Sequence, residues 1–465
     1  MSETLHQEAA VARTADGTEQ ANTLRPEARF LFRGKLFFKR TWNYNTGASS
    51  EKVKEYLPGA KVELHVTKKG GAARAKWAEG ELGEDGYFAF DGVPACSELA
   101  LRIVLEHKKG ITRIKGTENL VRKADYELQR GKVVWRTQAL DKKKIADATS
   151  AVVDFGDVEI LPTSETDANF VELCELYKTI WRGYHWILDK TGHTLGSCPV
   201  NYPSRTTSYH HNGELYILPG DLKDCDVNLH EYGHFVGSQV LGGLSHPGYN
   251  YNDDTNNRHS PTSEEHYESA WNEGHANFLS CAMSDDAVYH DDYDSNLTMN
   301  LATDNTTTGP HCEGSIQCAL WDVYKVQGTD FKDGFWKAFA YKTRKADTIF
   351  AFYENWKDAG CAGLAKLKAS LTKFNCHIGY RYTLSLPYTG KAYNAASPAA
   401  GFATVAELFE AYGKTSGGTL AEYEAEFYNR NRYVGGGAFA AGSNKGSFTL
   451  VLKNTYIVPE RFEIT

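Results

Sequence analysis

The stretch from Asp226 to Val240, DVNLHEYGHFVGSQV, constrains this chain more than any other. On a helix, residues four apart lie one turn above each other, so His230 and His234 offer two imidazole nitrogens to a single ion. Glu231 lies about 100° round from His230, where its carboxylate meets a water beside that ion rather than the ion itself. A catalytic zinc takes three protein ligands and keeps one position open. The third ligand must therefore come from another part of the chain, and the fold has to bring it there.

The stretch Ser269 to Met283, SAWNEGHANFLSCAM, also reads as helical, with Trp271, Phe278 and Ala282 on an apolar face and Glu273 and Asn277 on another. His, His and Glu form one of the standard catalytic zinc donor sets, so Glu273 is the expected third ligand. HEYGH followed by WNEGHANF resembles the gluzincin zinc metallopeptidases, the thermolysin- and fungalysin-like group. The resemblance implies one catalytic zinc on His230, His234 and Glu273, with Glu231 as general base. In that group the residue four beyond the ligand Glu often carries an acid that orients a ligand His. Asn277 stands there instead, and its amide can accept an imidazole N–H without bringing charge.

The segment 309–324, GPHCEGSIQCALWDVY, is similar to the stretch of those peptidases in which a His precedes a turn and the next helix. The similarity implies that His311 donates a hydrogen bond to the oxyanion of the tetrahedral intermediate. Glu313 competes for that importance, because some relatives keep the Glu-Gly pair rather than the His. The amine-binding Gly-x-Met-Glu-Asn motif of the related aminopeptidases has no match, which favours an endopeptidase.

Upstream, the texture is different. Residues 1–27 are polar and read as a tail. From Arg29 onward short runs alternate apolar and polar positions, with Pro58-Gly59 and Glu84-Asp85-Gly86 supplying turns between them. Residues 28–161 resemble the transthyretin-like or carboxypeptidase-regulatory-like β-sandwich and imply an accessory module. Pro162-Thr163-Ser164 reads as a linker. Residues 165–435 then form the expected metallopeptidase domain, with ligand helices over 226–240 and 265–283, and 436–465 return to strands.

The expected fold class is a multi-domain α+β chain: an N-terminal β-sandwich, then a zincin-type metallopeptidase domain with an α-helical C-terminal half. Within it, Asp167–Thr191 has helical spacing at Phe170, Leu173, Leu176, Ile180, Tyr184 and Ile187. Leu215–Leu218 is the expected cleft-side edge strand, able to pair with an extended peptide. Helical patterning covers 331–374 and 405–428. Between the ligand helices a long Gly/Asn/Asp-rich loop carries Tyr249 and Tyr251, with Tyr267 just beyond, all candidates to reach the oxyanion. His246, His259, His266 and His275 read as surface or supporting residues rather than ligands, and neither His210 nor His211 has a helical partner spacing.

Charge and composition narrow the function classes. A net charge of −8 argues against a general nucleic-acid surface, and no apolar run is long enough to span a membrane. The first residues lack the basic and apolar regions of a secretory signal, so the expected location is cytoplasmic, or external by a signal-independent route. Nine cysteines, irregularly spaced and without a CxxC pair, read as reduced thiols. The acidic run 284–296 invites calcium but lacks the Gly and Glu of a calcium-loop pattern, which favours a solvated loop.

The implied partner is a protein or peptide substrate. A zinc-stabilised binding protein working through its β-sandwich is the rival, but such a protein needs neither Glu231 nor an open position on the metal. A peptidase effector or toxin exported without a signal peptide is a finer alternative.

Overall fold

The computed structural model describes residues 29–43, 47–68, 74–94, 96–116, 126–127, 131–146, 151–161, 169–243, 259–263, 265, 267–291, 297–303, 309–310, 312–374, 376, 381–385, 425–429, 432–436 and 447–452. The expected tail 1–27, Tyr249, Tyr251, His246, His266, His311 and the stretch 405–424 lie outside the described residues. The chain divides into two compact units, Met1–Phe235 with His290–Leu297, and Val236–Tyr289 with Thr298–Thr465.

The first unit is β-rich. Its strands are β1 (Arg29–Asn43), β2 (Gly47–Glu55), β3 (Ala60–Lys68), β4 (Arg74–Glu81), β5 (Tyr87–Pro94), β6 (Cys96–His107), β7 (Thr112–Gly116), β8 (Tyr126–Glu127), β9 (Trp135–Ala139), β10 (Val152–Glu159), β11 (Cys198–Tyr202), β12 (Tyr209–His211) and β13 (Glu214–Tyr216). One sheet is ordered β10-β1-β2, with β5 also on β1, and a larger one runs β12-β13-β11-β7-β6-β3-β4. Alternation is clear at Phe32, Phe88 and Phe90, buried between less buried neighbours, and Leu36, Phe38, Val62, Leu64 and Ile103 are buried as well. The Asp85 turn requires its glycine, because Gly86 has φ +73° and a Cβ there would lie 2.1 Å from the Leu36 carbonyl oxygen.

The expected linker Pro162–Ser164 lies outside the described residues, and strands from either side of it share a sheet. β11 pairs in parallel with β7, Cys198 opposite Thr112. After the short helix α1 (Lys142–Ala146), helix α2 (Asn169–Thr191) buries Phe170, Leu173, Leu176, Ile180, Tyr184 and Ile187. Its Tyr177 hydroxyl donates to the Pro58 carbonyl at 3.0 Å, tying the helix to the turn before β3.

The edge strand also differs from expectation. Leu215 lies in β13, which is flanked by β11 and β12, so the end of the sheet among the described residues is β12. The cause is the Asn212-Gly213 pair. With φ of +50° and +77° it makes the tight turn that matches strand twist, and Tyr209–His211 folds back onto Glu214–Tyr216.

Beside Gly59 (φ +68°) the His107 ring fills the space a Cβ would occupy, 2.1 Å from Nε2. The ring accepts the Lys109 N–H on Nδ1 at 3.1 Å, and burial, with the nearby charges of His185 and Lys109, pushes its pKa down to about 4. An unfolded histidine titrates near ~6.5, so below that pH the unfolded chain takes up the proton first. The stability this ring contributes is complete above ~6.5 and is lost as pH falls toward 4. In urea unfolding, the loss between pH 7.5 and 4.5 is therefore expected to be smaller in His107→Gln than in wild type, by about 2 kcal/mol. Equal losses in the two proteins would show that His107 is not the group responsible.

The described helices continue with α3 (Cys225–Leu241), α4 (Tyr267–Ser284), α5 (Glu313–Trp321), α6 (Lys337–Phe339), α7 (Ile349–Asp358) and α8 (Leu364–Lys373). Within the second unit, Trp271 and Phe278 of α4 pack into an aromatic core with Phe335, Phe339, Phe352 and Trp356. Asp322, just past α5, accepts from Ser370 at 2.6 Å and Lys373 at 2.7 Å and fixes α8.

The last described residues of this unit are not helical. Strands β16 (Arg381–Ser385), β17 (Ala425–Asn429), β18 (Arg432–Gly436) and β19 (Ser447–Leu452) form a sheet ordered β16-β19-β17-β18. The helical expectation for 405–428 is corrected over 425–428, where antiparallel pairing with β18 and β19 overrides local helix preference. Two short strands, β14 (Val288–Asp291) and β15 (Leu297–Asn300), form a separate ladder. In the acidic run before them, Asp285 pairs with Lys325 and Asp286 accepts the Val288 N–H at 3.0 Å.

The eight cysteines whose side chains are described form no disulfide with one another, and burial holds the thiols of Cys174, Cys198 and Cys225 above their ordinary range. Among the described residues no helix is long and apolar enough to cross a membrane.

Candidate metal centre

Helix α3 begins at a cap: Asp224 Oδ1 accepts the N–H groups of Asp226 and Val227, both at 3.2 Å. Every residue from Asp224 to Gly237 is buried, so the helix's polar side chains need partners inside the protein. Asn228 donates to the Asp221 carbonyl at 2.9 Å, and Asp226 accepts the His290 N–H at 2.9 Å. Gly183 of α2 meets the Tyr232 ring, where a Cβ would come within 2.8 Å, so the two helices touch closely at that point.

Helical spacing brings His230 and His234 together. Their rings are edge to face with centroids 4.6 Å apart, and their Nε2 atoms lie 3.0 Å from each other. Glu231 between them is buried. Spacing in the sequence did not bring out His210, yet β12 places its ring 6.5 Å from that of His234 and 6.4 Å from that of Phe235. Only the hairpin at Asn212-Gly213 carries it there, and no local pattern of His residues signals it.

In the second unit, Glu273 and Asn277 are buried on α4, and Asn277 donates to Gln317 of α5 at 2.7 Å. The two helices approach at Gly274, where a Cβ would lie 2.8 Å from Ile316 and 2.9 Å from the Glu313 carbonyl. His275 is neither a surface residue nor a metal-side one. It is fully buried, bonded through Nδ1 to the Trp271 carbonyl at 2.9 Å and stacked against Trp271 and Phe339.

Glu313 opens α5. The turn before it clasps the segment 259–263: the Cys312 thiol donates to the Pro261 carbonyl at 2.9 Å, as does the Gly314 N–H at 3.2 Å. That contact sets His259 Nδ1 3.0 Å from Glu313 Oε2 and His259 Nε2 4.0 Å from Glu273 Oε2. Burial disfavours a charge on His259, but Glu273, Glu313 and Glu265 outweigh it and hold its pKa well above the ordinary range. Glu265 is fully buried, accepts from Ser263 at 2.9 Å, and is pushed up to about 9 by burial and by Glu313. Sequence spacing offers no pointer to His259 or Glu265, since contacts with the distant first turn of α5 bring His259 to Glu313.

Within the second unit, His259, Glu273 and Glu313 form a group that can hold a metal ion, their ligand atoms lying within 4.8 Å of one another. On α3, His230 and His234 offer two imidazole nitrogens, donors that suit zinc. Nε2 atoms 3.0 Å apart also fit sharing one ion, since nitrogens bound at ~2.0–2.1 Å around a tetrahedral centre lie about 3.3 Å apart.

Residues 201–372 match the Mycolysin C-terminal domain family, a stretch that contains His230, Glu231, His234, Glu273 and Glu313. The match suggests a thermolysin-like metallopeptidase context. No curated protein matches the chain. Among solved structures it is similar to a 9R-lipoxygenase from Cyanothece PCC8801 at 14% identity and a TM-score of 0.16, covering 37% of this chain and 25% of that one. It is also similar to the major plantain pollen allergen Pla l 1 at 12% identity and a TM-score of 0.17, covering 28% of this chain and 92% of that one. The chain thus spans a quarter of the lipoxygenase's length.

Proposed function

We propose that this protein is a zinc metallopeptidase, an endopeptidase, that holds its zinc through His230, His234 and Glu273. The observation that carries the reading is the pair of Nε2 atoms 3.0 Å apart on a buried helix, with Glu231 directly after the first histidine. Zinc, when bound there, acts as a Lewis acid that polarises the scissile carbonyl and acidifies water.

Glu231 takes the proton of the attacking water and returns it to the leaving amine. Its burial keeps bulk water from doing the same work unaided. Asn277, oriented by Gln317, offers its carbonyl oxygen to an imidazole N–H. His311 is the proposed donor to the oxyanion. Glu313, the competing candidate, pairs with His259. An extended substrate would add to the sheet at β12, main chain to main chain, beside His210. The N-terminal strands, transthyretin-like in their turn pattern, would serve as an accessory module.

The test is cleavage of a denatured protein substrate before and after chelation. The expected result is loss of cleavage on chelation and its return with about one equivalent of zinc. Cleavage that survives complete removal of metal would eliminate the zinc mechanism. Bound zinc with no cleavage across a broad substrate panel would favour a binding protein.

A further inference from the structure

We infer that His259, Glu265, Glu273 and Glu313 form a second metal site, which takes a divalent first-row ion such as zinc. It rests on the peptidase reading only through Glu273, which that reading also takes as a zinc ligand. Three of the four side chains are carboxylates, and all three are buried, at 2% exposure or less. Carboxylates buried this closely around one imidazole are costly without a compensating cation, and a divalent ion supplies that compensation.

Geometry points the same way. His259 Nδ1 faces Glu313 Oε2 at 3.0 Å, the arrangement in which a carboxylate fixes the tautomer of a metal-binding imidazole, and Nε2 is turned toward Glu273. Ligand atoms of His259, Glu273 and Glu313 already lie within 4.8 Å of one another. Glu265 is the independent sign. Its Oε2 is buried without a hydrogen-bond partner among the described residues, and the charges it interacts with are those of Glu313, His259 and Glu273. The His259 side chain is 35% exposed and gives the ion a path in. An imidazole among the ligands selects against calcium and magnesium, which take oxygen, and suits zinc.

The experiment counts metal on the full-length protein. Protein stripped with a chelator is reloaded with Zn2+, dialysed and measured by elemental analysis, with circular dichroism to verify that each variant is folded. Wild type is expected to carry about two zinc ions per chain, and Glu313→Gln, Glu265→Gln and His230→Ala about one each. Two ions in wild type and in both glutamate variants would overturn the inference. So would a single ion in wild type that both glutamate variants keep and His230→Ala loses, a result that leaves the peptidase centre standing. No ion in wild type removes both. Glu265 bonds only Ser263 among the described residues, so Glu265→Gln carries the count where Glu313→Gln does not fold.

Discussion

Glu231→Gln is expected to keep its zinc and to lower kcat on a denatured protein substrate by roughly 10²–10⁴-fold, the range general acid–base catalysis contributes. Glutamine has the size and hydrogen-bonding reach of glutamate but cannot accept the water's proton at neutral pH. The side chain is 6% exposed, so no bulk base takes over its task. The proposed substrate contacts along β12 do not involve it, so KM is expected to change little. The decisive comparison is zinc content beside turnover. A variant that retains zinc and still turns over within about tenfold of wild type would remove Glu231 from the role of base. Loss of zinc as well would make it a structural residue of the α3 helix.

Gly314→Ala should be among the most costly single substitutions in the second unit. A Cβ on Gly314 would stand 2.2 Å from the Pro261 carbonyl oxygen, and that contact is backbone to backbone, so no rotamer relieves it. The 259–263 segment must move, with loss of the Gly314 N–H and Cys312 Sγ bonds to Pro261. Overpacking of this kind together with two lost hydrogen bonds costs about 3 kcal/mol or more. Gly360→Ala is the control. Gly360 has φ +61° but nothing within 4 Å of its Cβ position, so only backbone strain of about 1 kcal/mol applies. Urea midpoints of the two variants should differ accordingly. Equal midpoints would mean that the clasp on Pro261 contributes nothing to stability.

Elements with a local cause were legible in the chain. The i, i+4 spacing of His230 and His234 forces both rings onto one face of any helix that forms there, and α3 shows them Nε2 to Nε2. Apolar residues at helical spacing from Phe170 to Ile187 bury one stripe of α2, and the Asp85-Gly86 turn adopts the positive φ that only glycine takes easily. Each of these follows from interactions among residues a few positions apart, which is why composition and period reveal them.

Contacts between residues distant in sequence were not legible. Pairing of β7 with β11 joins strands far apart in the chain, the Asn212-Gly213 hairpin moves the sheet's end from Leu215 to β12, and sheet pairing replaces helix over 425–428. Around the metal-binding groups the division is the same. The amino-acid order by itself singled out His230 and His234 and put them on one helix face. Only the tertiary structure decided that His210 lies beside His234, that His259 and Glu313 pair, and that Glu265 is buried among them. Those positions depend on where backbone hydrogen bonds close and where a glycine lets two segments touch, and neither leaves a period in the sequence.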